Sequence, residues 1–483
     1  MAVISEVAIA VALTISGNAL LAVVRRDVTA AARCWLSVPI GAAAYLIVAL
    51  VSLVMVGTLD PAITLLAVRG LGLVVAAVSL TKGGGIRRAD LLWMLMGVGI
   101  AVLTALAARQ WHLTRLTPDS LRYLLASNEL VLTEGLREMN ATDLVTRQIG
   151  LPALHSLSDL VGRGYLASLG PLFGVFGLGL FAWLALAVTH GTMGRRNRLI
   201  LVGTAILFLL SSNRLVYDSF YINTHIEMAA YLLIAVAGTW LAVSRGLSGW
   251  AIPSGLALAV TLVFRPEAPL VAAIVLVTVA ASRANLSVRL AMTVPTLAVG
   301  ALWYGLGLWR YAAGGDEISS TAPVFGSLVV IAVAVVLCLA GGVDRARPWA
   351  RWLDIAGVAA LALLLAFYMA TDPTVFGASV EATARNLVRD GFWLLTWVAA
   401  IALLVVALIV QAIPDARVWT VPIIGFALLH WALPYVREGA WRVGAGDSGN
   451  RILAHYLAVT VIFLVLAAVR NKGGAPVDRV ESV

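Results

Sequence analysis

Apolar runs follow one another along almost the whole chain, and polar residues are confined to the gaps between them. The runs lie near 3–24, 35–57, 61–81, 91–108, 166–189, 199–212, 226–243, 247–264, 267–282, 290–308, 324–342, 354–370, 391–412, 418–434 and 452–469. Crossing a hydrocarbon core of about 30 Å takes about 20 helical residues, somewhat fewer where a helix is short. The pattern predicts an all-α polytopic membrane protein of about fifteen transmembrane helices. No run repeats another, and no polar segment is long enough to fold as a separate soluble domain. Chemistry therefore falls to loops and helix ends.

Only residues 109–165 form a long polar segment. Within it, Thr117-Pro118-Asp119-Ser120 suits a helix start: Thr as N-cap, Pro at the first helical position, an acid in the first turn. Leu121, Leu124, Leu125, Val131, Leu132, Leu136 and Met139 then recur at helical spacing, opposite Arg122, Glu129, Glu134, Arg137 and Glu138. An amphipathic helix lying in the membrane interface is expected. A second piece, Gly150-Leu151-Pro152-Ala153-Leu154-His155-Ser156-Leu157, leads back to the next run.

Composition strengthens the membrane reading and removes others. Apolar residues make up 61% and charged residues 12%, with mean hydropathy +0.96; soluble proteins are nearer a quarter charged. Disordered, collagen-like, coiled-coil and disulfide-framework chains are excluded. Cys34 and Cys338 stand alone and imply neither a disulfide framework nor a zinc site. The first run carries Arg25-Arg26 after it and no charge pair before it, the reverse of a cleavable signal peptide. It is read as an anchor with the N-terminus outside. Nineteen of the 34 Lys and Arg then fall inside against seven acids, while 14 Arg face 18 acids outside. The net charge of +9 is thus largely the positive-inside rule, and nucleic acid is not an expected partner. A single overlong helix over 247–282 would put Arg345, Arg347 and Arg351 outside, so two helices are expected there. Their junction, Phe264-Arg265-Pro266-Glu267, then lies at the outer interface.

The outer side gathers the candidate chemistry. Asp119 suits two roles that both stay open: a helix cap, or a general base at the membrane surface kept ionised by nearby arginines (Arg109, Arg115, Arg122). Both lysines are inner and every outer cation is arginine, a bias that genome composition alone can produce. Guanidinium nevertheless suits bidentate phosphate contacts. Arg214, Arg265 and Arg451 stand at outer helix ends, where an ionisable group dipping into a span points to function; an internal pair of Arg265 with Glu267 or Glu227 is the competing reading. Arg69, mid-run, suits a partner for Asp60 or another buried acid. His112, His155, His225, His430 and His455 are outer and His190 is inner, with no spacing that makes a metal pair.

These features together resemble the GT-C superfamily of polytopic glycosyltransferases, which use polyprenyl-phosphate sugars. The resemblance rests on Pro118-Asp119-Ser120-Leu121-Arg122-Tyr123, the 150–157 segment, His225-Ile226-Glu227-Met228, Arg265-Pro266-Glu267 and Asn450-Arg451-Ile452-Leu453, and it covers roughly 90–290 and 445–469. It implies a GT-C-like catalytic domain over 90–469, preceded by accessory transmembrane helices in 1–89 and followed by a cytoplasmic tail, 470–483. Asp119 would be the base that deprotonates the acceptor. Arg265, Arg451 and Arg214 would bind the donor phosphate. Arg122, Tyr123, Glu134, His155, Glu227, Glu267 and His455 would bind sugar or acceptor, or orient the arginines. No cofactor is expected, although some family members use a divalent cation, for which outer acids such as Glu134 could serve. The implied partners are a polyprenyl-phosphate sugar, a glycan or lipid acceptor and membrane lipids, at the outer face of a bacterial plasma membrane. Two departures stand out: the long loop follows the fourth run rather than the first, and His225-Ile226-Glu227-Met228 lacks the Gly and Thr of its counterpart. The rival readings are a polymerase or ligase of lipid-linked glycans, a transporter or flippase, and a non-catalytic assembly subunit.

Overall fold

The computed structural model describes residues 2–81, 87–132, 148–162, 164–312, 322–410, 416–437 and 439–470. Among the described residues there is no strand, only one isolated bridge between Arg115 and Tyr221. In lipid, a helix satisfies every backbone N–H and C=O within its own segment, which is why apolar runs become helices. The chain opens with α1 (Ala2–Leu20), α2 (Ala30–Val56), α3 (Pro61–Thr81) and α4 (Arg88–Gln110). α5 (Pro118–Val131) and the short α6 (Gly150–His155) occupy the long polar segment. α7 (Leu169–Thr189), α8 (Arg195–Leu210), α9 (Asn213–Asp218), α10 (His225–Ser244), α11 (Ala251–Thr261) and α12 (Ala268–Ala281) form the middle of the chain. α13 (Leu286–Ala312), α14 (Ala322–Ala340), the one-turn α15 (Arg347–Ala350), α16 (Leu353–Thr371), α17 (Pro373–Arg385), α18 (Thr396–Val410), α19 (Arg417–Val436), α20 (Ser448–Ile452) and α21 (Ala454–Arg470) complete it.

Eleven helices among the described residues are long and apolar enough to cross a membrane, which makes this a multi-pass membrane protein. The expectation was fifteen. Each of the fifteen runs does hold a helix, but α12 and α18 are shorter apolar helices. α11 has only 11 residues, and α8 has 16 and begins Arg195-Arg196-Asn197-Arg198. The stretch 247–282 is two helices, with Arg265 between them, as the charge distribution requires. Besides the short helices α9, α15 and α20, one longer helix has no counterpart in the reading from sequence: α17, which starts at Pro373 with Asp372 accepting from the Val375 N–H at 3.2 Å.

α10 is buried along nearly its whole length, packed against α7, α11, α19 and α21. The first helices are built into the bundle. α2 packs on α7, α11 and α13; the Tyr231 hydroxyl donates to the Pro39 carbonyl at 3.0 Å, and the Ser168 N–H donates to Glu6 at 2.7 Å. α1 and α2 cross at glycine: a Cβ on Gly17 would lie 1.8 Å from the Ser37 carbonyl oxygen, and one on Gly41 2.0 Å from that of Leu13. Small residues at such crossings let two backbones touch where lipid supplies no hydrophobic drive. Arg33 pairs with Asp90 and ties α2 to α4. The expected Asp60–Arg69 pair is not formed among the described residues. Asp60 instead caps α3, accepting from Ala62 and Ile63 N–H groups at 2.9 and 3.0 Å, and Arg69 is exposed.

The leucines of α5 divide between two faces. Ser120, Tyr123, Leu124, Ser127 and Leu130 face the protein, while Leu121 and Leu125 point outward beside Arg122. The helix packs through a mixed polar and aromatic face because that face meets charged partners. Leu136, Arg137, Glu138 and Met139 lie outside the described residues.

Candidate active site

The start of α5 is fixed before its side chains do anything. Thr117 is the N-cap: its hydroxyl accepts from the Ser120 N–H at 3.4 Å, and the Thr117 N–H donates to Ser120 Oγ at 3.2 Å. Capping answers N–H groups that no helical partner reaches. The same residues bind the segment before α10. Arg115 N–H donates to the Phe220 carbonyl at 2.7 Å, Ser120 Oγ to that of Ile222 at 3.1 Å, and Thr117 Oγ1 lies 2.8 Å from the Tyr221 hydroxyl.

Asp119, in the first turn of α5, thereby meets Arg451. Both Nη atoms of Arg451 lie 3.3 Å from Asp119 Oδ2, across 332 residues of chain. The Tyr221 hydroxyl is 3.4 Å from the same oxygen and 3.3 Å from Arg451 Nη1, and the guanidinium sits over the Tyr221 ring. Burial pushes the Tyr221 phenol above its usual range, opposed by the Thr117 hydrogen bond and the Arg451 charge. Arg109, Arg115 and Arg122 were the cations expected at Asp119; the pair seen among the described residues is with Arg451. Arg109 is buried, Arg115 lies over the Tyr217 ring and Arg122 is exposed.

Arg451 is aimed by its neighbours. Asp447 caps α20, accepting from Gly449 and Asn450 N–H groups at 2.8 and 3.3 Å. Asn450 accepts from Trp393 Nε1 at 2.6 Å and donates to the Gly391 carbonyl at 3.1 Å. The segment it grips holds Phe392, Leu394 and Leu395 at positive φ, a conformation that side-chain-bearing residues rarely keep without support. Arg451 Nε is buried and has no hydrogen-bond partner.

Arg265, between α11 and α12, is held by Glu267, its Nε donating to Oε1 at 2.8 Å, and has Tyr123 of α5 beside it. Burial works against its charge, but Glu267 and Tyr123 outweigh it and keep the guanidinium above its ordinary pKa. One turn of the loop helix therefore brings Asp119 to Arg451 and Tyr123 to Arg265. Beneath them His225 Nδ1 and His455 Nε2 are 2.8 Å apart with their rings stacked, and Arg265, Arg451 and Arg214 all lie within electrostatic reach of His225.

Of the remaining expected residues, Arg214 is committed internally. It donates to both Asp218 oxygens at 3.2 and 3.0 Å and to the Ala445 carbonyl, with both side chains buried. Burial pushes Asp218 upward, and Arg214 opposes this. Glu227 is buried, and its Oε2 has no hydrogen-bond partner. It lines a small cavity of about 10 Å³ with Thr114, His155 and Tyr221, room for no more than one water. His155 Nδ1 accepts from the Leu166 N–H at 3.2 Å. Glu134 lies outside the described residues.

The sequence reading missed Tyr221, Thr117 as more than a cap, and the pairing of His225 with His455. No local signal marks Tyr221; its hydrogen-bond partners are over a hundred residues away in both directions. Among the described residues no three His, Cys, Asp or Glu side chains converge to hold a metal ion. The chain matches no family model, no curated protein and no solved structure.

Proposed function

We propose that this protein is a membrane glycosyltransferase of GT-C type that moves a sugar from a polyprenyl-phosphate donor to a hydroxyl acceptor on the outer face of a bacterial plasma membrane. The observation that carries the proposal is the meeting of Asp119 with Arg451 and of Tyr123 with Arg265 on one loop helix. Three residues read from three separate segments as a base and two phosphate-binding cations have their side chains in one neighbourhood, which supports this reading.

In the proposed reaction Asp119 accepts the proton of the acceptor hydroxyl. The oxygen attacks the anomeric carbon, the bond from that carbon to the phosphate oxygen breaks, and the polyprenyl phosphate leaves with the electron pair. Direct displacement inverts the anomeric centre. Arg451 presents Nε, its one nitrogen without a partner, to the departing phosphate, and Arg265 supplies a second positive charge fixed in advance by Glu267 and Tyr123. Cations held where charge develops stabilise the transition state without reorganising during the reaction. The side chain of Asp119 is 42% exposed against 10% for Arg451, which suits a base that must meet a water-soluble acceptor.

The test is transfer by purified protein from synthetic polyprenyl-phosphate sugars to a panel of glycan acceptors. Asp119→Asn is expected to lower turnover by about 10²–10⁴-fold, the usual contribution of a general base, with donor binding retained. Near-normal activity in the variant would reduce Asp119 to a first-turn acid that serves the helix dipole and the Arg451 pair. No product from either protein, with lipid-linked donors moved between leaflets, would favour a transporter.

A further inference from the structure

Far from Asp119 in the sequence, α12, α16 and α19 enclose a groove of about 240 Å³ that is open on one side. Its walls are aliphatic: Leu270, Ala273, Val277, Gly357, Leu361 and Leu364. In a membrane such a groove is filled by a lipid chain. At one end its chemistry changes. Asp354, 1% exposed, lines the groove; its Oδ1 accepts from the Ile355 N–H at 2.8 Å and lies 3.7 Å from Arg417 Nη1, while Oδ2 is buried with no hydrogen-bond partner. An unanswered buried carboxylate oxygen is costly, so it marks a place where a donor belongs.

Arg417, the cation beside Asp354, shares an indole with a second guanidinium. Arg417 donates to the Arg351 carbonyl at 3.0 Å, and the Arg417 and Arg351 guanidiniums both lie over the Trp352 ring, at 5.8 and 5.4 Å from its centroid. Trp352 and Trp349 are exposed there, as aromatic residues are at a membrane interface. Two like charges brought to one indole call for an anion, and basic pockets between membrane helices bind lipid head groups.

We propose that this groove is a binding site for an anionic glycerophospholipid whose head group carries a hydroxyl. An acyl chain lies along the groove, the phosphate bridges Arg351 and Arg417, and the head-group hydroxyl donates to Asp354 Oδ2. A phosphocholine lipid supplies the chain and the phosphate but no donor, and its quaternary ammonium is unwelcome beside the arginines. The site is independent of the glycosyltransferase reading and stands or falls without it.

The experiment measures lipid retention and thermal stability of the purified protein in a neutral detergent. Phosphatidylglycerol, phosphatidylcholine of the same chains, and soluble glycerol 3-phosphate are added separately. Wild type should retain phosphatidylglycerol in preference to phosphatidylcholine, with a gain of about fivefold for each arginine engaged. Arg417→Gln should reduce that preference. Gly357→Phe should block retention of both lipids; its Cβ has room, with Val277 at 3.8 Å, and replacing a helical glycine does not endanger the fold. Equal retention of the two lipids by wild type, an undiminished preference in Arg417→Gln, or equal stabilisation by glycerol 3-phosphate would overturn the proposal.

Discussion

Arg451 meets Asp119 through both Nη atoms and keeps Nε buried without a partner. A planar fork of five donors can hold a carboxylate and a phosphate oxygen at once, whereas an ammonium is a single point charge. Arg451→Lys is therefore expected to retain the fold but to lower turnover by about 10²–10³-fold, the scale of losing one preorganised donor at a developing charge. The sugar-transfer assay checks it, and unchanged turnover would remove Arg451 from the phosphate site. A second prediction concerns stability. Burial pushes His155 down to about 3 from an ordinary 6.5. Between those two values the unfolded chain binds the extra proton, so stability rises with pH through that window. The contribution of neutral His155 is complete above about pH 6.5 and is lost on acidification, at up to about 1.4 kcal/mol per pH unit. Asn keeps an acceptor for the Leu166 N–H and does not titrate. The melting temperature of wild type should fall more steeply from pH 7 to pH 5 than that of His155→Asn, and parallel curves would contradict this.

At the scale of elements, the α1–α2 crossing makes the sharpest claim. Any Cβ at Gly17 strikes the Ser37 carbonyl, so Gly17→Ala must push two backbones apart, at a cost of about 3 kcal/mol. Gly70 in α3 has nothing within 4 Å of a built Cβ, and Gly70→Ala should raise stability by about 0.5–1 kcal/mol through helix propensity. Thermal stability in detergent separates the two. Elements were also what the sequence exposed best, because in lipid the apolar run itself makes the helix; the start of α5 at Thr117-Pro118 is as expected from its capping residues. What stayed hidden depends on packing. α17 was missed because an amphipathic segment between two apolar runs looks like loop. Asp119, Arg265 and Arg451 could be named from helix ends and a resemblance, but their contacts with Tyr221 and Tyr123 are set by neighbours far off in sequence; the pair of Arg214 with Asp218 is local, at i and i+4, and its spacing was there to be read.

On the scale of the whole molecule, the cluster constrains the topology more tightly than helix length does. Asp119, Arg214, His225, Arg265 and Arg451 all belong to one neighbourhood. Between Asp119 and Arg214 the chain runs through α7 and α8, so α8 must return as far as α7 departs; at 16 residues it is about 24 Å long. Between His225 and Arg265 it runs through α10 and α11, so the short α11 must likewise return. If both cross the membrane, short as they are, and α12 and α18 cross too, the chain makes fifteen crossings and its N-terminus lies on the side of the cluster. Trp111 and Trp349 are then separated by seven crossings and lie on opposite faces. With Cys34 and Cys338 replaced by Ala, a membrane-impermeant maleimide should label Trp111→Cys in intact cells, and Trp349→Cys only after permeabilisation. Both positions are exposed, at 70% and 81%, so accessibility does not limit either reaction. Labelling of both from outside would mean that one of α8, α11 and α12 does not cross. The reverse pattern would place Asp119 and Arg451 on the cytoplasmic face and exclude an outer-face donor.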